Sequence, residues 1–74
     1  MIRVRVLEDA RSWNLNYDLK LKGLTGTVLK TDVEARPIMA LVLFDNPSTD
    51  NRYGLIVRYS WVPLDYLQPL VGAQ

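Results

Sequence analysis

Cysteine and histidine are both absent from the 74 residues. Their absence excludes disulfides, thiolate nucleophiles, Ser-His or Cys-His relays, c-type haem attachment and the usual zinc sites. No cofactor and no metal is therefore expected. A surplus of one charge is also missing: nine Lys and Arg face eight Asp and Glu, a net +1. That balance gives the whole chain no strong pull toward a polyanion or a membrane surface. Long apolar runs are missing too, the longest being Ile38–Phe44, whereas a membrane helix needs about 20 such residues. No segment repeats apolar residues at helical spacing for even three turns, so no long helix is expected.

What is present is a globular composition, 49% hydrophobic, in a chain long enough for one domain, residues 1–74. Below about 70–80 residues a single core seldom supplies more than roughly 3–5 kcal/mol. A partner or self-association is therefore an expectation from the outset. Met1–Leu7 alternates in polarity and reads as structure rather than as a leader, so a cytoplasmic protein is expected.

Period-2 alternation dominates the chain. Ile2, Val4 and Val6 oppose Arg3 and Arg5, and Leu19 and Leu21 oppose Lys20 and Lys22, the pattern of strands with one buried face. Gly23-Leu-Thr-Gly26 punctuates the chain before the β-rich segment Thr27–Thr31, and Asp32–Pro37 reads as a turn. Ile38–Phe44 is apolar on both faces. Asp45–Arg52 is dense in turn formers and reads as a hairpin loop, and Tyr53–Val62 as the next strand. A single helical turn over Val62–Leu67 and a last short strand at Leu70–Val71 complete the order. Residues 8–18 read as a structured loop. Few long edges are tolerable in water, which favours closure into a small barrel. The expected class is all-β, a barrel of about five strands with one short helical turn near the carboxy terminus.

This order resembles an SH3-like barrel. Gly23-Leu-Thr-Gly26-Thr-Val28 is similar to the glycine-punctuated start of a strand in bacterial SH3-like and KOW-type barrels. Pro63-Leu-Asp-Tyr66-Leu67 is similar to the segment that closes a signalling SH3 domain. The signalling likeness implies proline-rich peptide recognition through a groove of Tyr17, Pro63 and Tyr66, although the groove's main tryptophan has no counterpart in the middle strand. Asp18-Leu19, Gly23-x-x-Gly26-x-Val28 and Arg36-Pro37-Ile38-x-Ala40 also resemble stretches of the variable chain of ferredoxin–thioredoxin reductase. That likeness implies a non-catalytic accessory subunit.

The residues carry their own candidates. Along Ile38–Phe44, Met39, Leu41 and Leu43 face away from Ile38, Ala40, Val42 and Phe44, yet both sets are apolar. An exposed Leu or Met forgoes roughly 1.5–3 kcal/mol of burial, so the second set needs a cover. The cover is either another protein or the amino-terminal loop folding back through Trp13 and Leu15. Trp13 and Tyr17, in a polar loop, join Met39, Leu41 and Leu43 as partner-binding candidates. Tyr59 and Trp61 alternate with Leu55 and Val57 and are expected in the core. Arg3, Arg5, Lys20 and Lys22 form a basic stripe if their segments adjoin, serving either to orient a partner or to bind nucleic-acid phosphates.

Gly23-x-x-Gly26 lacks the Lys-Ser/Thr and following helix of a nucleotide loop, and Asp45, Asn46, Asp50 and Asn51 lack the Gly and Glu of an EF-hand. With no paired carboxylates set over a cleft, no enzymatic activity is expected. The leading expectation is a non-catalytic protein-interaction module, an accessory subunit or a self-associating barrel. A nucleic-acid-binding barrel is the alternative, and proline-rich peptide recognition a third. No small-molecule substrate is expected.

Overall fold

The computed structural model describes residues 1–71. Five strands, β1 (Arg3–Val6), β2 (Thr25–Asp32), β3 (Met39–Asp50), β4 (Leu55–Pro63) and β5 (Leu67–Pro69), form one antiparallel sheet. Their order across it is β4-β3-β2-β1-β5. Single 3₁₀ turns occur at Ala10–Ser12 and Leu64–Tyr66. The protein is therefore all-β, with five strands and a short helical turn near the carboxy terminus, as the alternation predicts. No helix among the described residues is long and apolar enough to cross a membrane.

The expected barrel closure does not occur. β4 and β5 are the two ends of an open sheet. The reason is the size of β5: its three residues pair with β1, from Val4–Pro69 to Val6–Leu67, and extend no further. Proline at the end of so short a strand also removes a donor that closure would need.

One face of the sheet carries the core. Val4 and Val6 of β1, Ala40, Val42 and Phe44 of β3 and Val62 of β4 are buried together. The loop between β1 and β2 lies against them and adds Ala10, Leu19 and Leu21. The Leu19–Lys22 alternation is real, with both leucines buried and both lysines exposed, but the segment is not a strand. It touches the sheet through one bridge, Leu19 to Asp50. Asp50, almost wholly buried, holds the loop there. Its Oδ1 accepts the amide protons of Asp18 (3.3 Å) and Arg52 (2.9 Å), while the Asn51 amide donates to the Asp18 carbonyl (3.2 Å).

Two irregularities shape the sheet. In β2 the register steps from Val28–Val42 to Lys30–Leu41, leaving Leu29 as an extra residue. In β3 the segment 44–47 intervenes between the pairs Leu43–Tyr59 and Ser48–Val57. Extra residues of this kind bend a strand and increase its twist. The predicted hairpin loop at Asp45–Arg52 is accordingly shorter than expected: β3 runs on to Asp50, and the turn is confined to Asn51–Gly54. Pro47 sits in the unpaired stretch, where its missing N–H costs no ladder bond. Gly54 makes the turn with φ +68. The last strand is Leu67–Pro69 rather than Leu70–Val71.

Gly26 lies between β1 and β3, opposite Val4 on one side and Phe44 on the other. A Cβ there would overlap the Leu43 carbonyl oxygen and stand 2.8 Å from Val42 Cγ1. Overpacking of this kind costs about 1–3 kcal/mol. At Gly54 a Cβ meets nothing, and the left-handed backbone alone resists it, at roughly 1–2 kcal/mol. Gly26→Ala is thus expected to lower the urea midpoint at least as far as Gly54→Ala does. A neutral Gly26→Ala would contradict the close approach of the strands.

Candidate docking face

Among the described residues no loop lies over the face of the sheet opposite the core. Register defines its rows. Leu41 pairs with Trp61 across β3 and β4, Leu43 pairs with Tyr59, and Met39 with Pro63. On the β2 side, Lys30 stands beside Leu41 and Thr27 beside Leu43. Residues directly opposite in an antiparallel pair share a face, so Leu41, Leu43, Tyr59 and Trp61 form one apolar patch. Leu43 is 42% exposed, Tyr59 60% and Trp61 38%, and the bulged Leu29 is 50% exposed. Met39 and Leu41 are half-buried by their neighbours.

Several expectations need correction here. Tyr59 and Trp61 are not core; they stand on the outer face. Ser60 and Val62, the less apolar alternate set, turn inward at this end of β4 because they share a face with the buried Val42 and Ala40. The amino-terminal loop does not cover the outer patch either. Trp13 packs against the core cluster and stacks on Tyr66 with ring centroids 5.4 Å apart, and Leu15 is exposed. Of the five partner-binding candidates, Met39, Leu41 and Leu43 lie together on the outer face. Trp13 belongs to the covered side, and Tyr17 is an exposed loop residue. The residues that sequence reasoning missed are Leu29, Tyr59 and Trp61.

Lys30 Nζ lies 5.8 Å from the centroid of the Trp61 ring, within cation–π range. Its aliphatic stem and the β2–β3 turn border an open groove of about 340 Å³, lined by Lys30, Thr31, Asp32, Val33, Glu34 and Trp61. The groove adjoins the apolar patch and shares Trp61 with it.

The basic stripe is only partly assembled. Arg3 and Arg5 lie on β1, whose partners are β2 and β5. Lys20 and Lys22 sit in the loop between β1 and β2, which reaches β1 where Gly23 and Leu24 hydrogen-bond Val6. Lys20 is 3.3 Å from the Asp18 carboxylate. Arg3 is engaged more firmly: its guanidinium donates to both oxygens of Asp45, at 2.6 and 2.5 Å, and to Thr27 Oγ1 at 3.1 Å. The Thr25 hydroxyl also donates to Asp45. The peptide-groove candidates are dispersed in exposure. Pro63 is buried, Tyr66 is half-buried under Trp13, and Tyr17 is exposed.

The Arg3 hydrogen bonds, followed by that of Thr25, bring the Asp45 carboxyl down to about 2 from its ordinary 3.8. A carboxyl held below its unfolded value stabilises the fold above the unfolded pKa and loses that contribution as pH falls through the folded one. Stability measured by urea titration should therefore decline between about pH 4 and pH 2 in part through Asp45. Asp45→Asn should flatten that part of the profile; an unchanged acid limb would show that the clamp does not form in solution.

No family model, no curated protein and no solved structure matches this chain.

Proposed function

We propose that this protein is a non-catalytic docking module, an accessory subunit that presents the outer face of β3 and β4 to the apolar surface of a larger protein. The observation that carries the reading is the row structure of that face, with Leu41 beside Trp61 and Leu43 beside Tyr59 and no loop above them among the described residues. Each such side chain regains roughly 1.5–3 kcal/mol on full burial. Trp and Tyr supply the large, amphipathic contact area typical of interface anchors. Arg5 and Lys22 act at the periphery as orienting charges, while Arg3 and Lys20 are already engaged by Asp45 and Asp18.

The element order supports an SH3-like domain whose sheet remains open between its end strands. A cytoplasmic location fits a cysteine-free chain. Nucleic-acid binding is less well supported, because Arg3 and Lys20 each have a carboxylate partner. Proline-rich peptide recognition is less well supported as well, because Pro63 is buried.

A photo-crosslinking side chain at Leu43 tests the proposal in extract from the native source. It should give discrete protein adducts, competed by unmodified chain and reduced by Trp61→Lys. The same probe at Lys22 should not give them. Absence of adducts from Leu43, or equal yield from both positions, would defeat the docking reading.

A further inference from the structure

The two ends of the open sheet are built differently. β5 is three residues long and ends in Pro69, features that blunt an edge against further pairing. β4 is nine residues long, Leu55–Pro63, with one charge, Arg58, and no proline before its last position. Its only strand partner is β3, so its other side carries no backbone ladder among the described residues, and there the Trp61 carbonyl accepts the Ser60 hydroxyl at 3.2 Å. At the bend four residues of β3, 44–47, lie against one of β4, Arg58, so most of the irregularity is on β3. A long edge with so little protection is a template for another strand.

We infer that the strand it takes is β4 of a second copy of this chain, paired antiparallel about a two-fold axis. A two-fold normal to the sheet keeps each face continuous and pairs residues on the same alternation. Pairing over the full strand, Leu55 against Pro63 of the second copy, puts the axis at Tyr59. Tyr59 then meets its own counterpart, an aromatic–aromatic cross-strand pair of the kind that stabilises sheets, while Val57 stays packed against the core of its own copy. Arg58 meets the neutral Ser60. Centring the pair on Arg58 would set two guanidinium groups directly opposite, a destabilising arrangement. The charge pattern thus selects the register of fullest overlap. The inference concerns the edge of the sheet, and the docking proposal concerns its outer face, so either can fail alone.

Sedimentation equilibrium of the full chain, with amide hydrogen exchange over a concentration series, tests it. The expected result is a dimer of the 8.5 kDa chain, with exchange in β4 slowing as the dimer forms. In the inferred register, Ser60→Glu places a carboxylate opposite Arg58 twice over and should tighten association. Ser60→Lys should loosen it, the two variants differing on the order of tenfold in dissociation constant. Circular dichroism checks that both variants fold. If Ser60→Lys does not fold, Ser60→Glu and the exchange data decide. A monomer at every concentration overturns the inference and leaves the Leu43 crosslinking result to stand separately. A dimer indifferent to the sign of the charge at position 60, or one without protection in β4, overturns it equally.

Discussion

The two faces of the sheet compete for cover, and the described residues supply a loop over one of them. The long β1–β2 connection closes over the inner face, bringing Ala10, Leu19 and Leu21 to Val6 and Val42. Among the described residues nothing comparable lies over the outer face, because the β2–β3 and β3–β4 connections are short turns. Small domains bury a modest fraction of their surface for this geometric reason.

Within that constraint, a few polar contacts decide where the loop lies. Asp50 anchors it from the far end of β3, and the Arg3–Asp45 clamp joins β1 to the bend of the same strand. Asp45 lies within the irregular stretch of β3, 44–47, where ladder hydrogen bonds are interrupted, and Asp50 lies just beyond it. Side-chain hydrogen bonds thus take over where the backbone pattern lapses. The Asp50 Oδ2 atom, buried without a partner, shows that the anchor carries a desolvation cost that its Oδ1 contacts must offset.

Strand identity was legible in the sequence because alternation of Val and Arg in β1, or Leu and Lys at 19–22, reports which side chains are buried. It did not report whether a buried segment joins the sheet, and Leu19–Lys22 alternates while making one bridge. The outer face was harder to read. β4 offers two alternate sets, and choosing the more apolar, with Tyr59 and Trp61, as core assumes a polar exterior. That assumption fails here, because the exterior of β3 is apolar as well. The signal was available in Ile38–Phe44, whose second face, once recognised as outward, requires an outward partner row on β4. Leu29 could not be found this way, since a one-residue bulge leaves no mark on composition.

The placement of β1 carries an implication for how the molecule is made. β1 is the first strand to be synthesised, yet it lies between β2 and β5, and its Arg3 closes on a carboxylate 42 positions later. During synthesis β1 therefore waits, unpaired on one side, until β5 has been made. Non-local pairing of this kind slows folding. The sheet is therefore completed only once β5 is available to pair with β1.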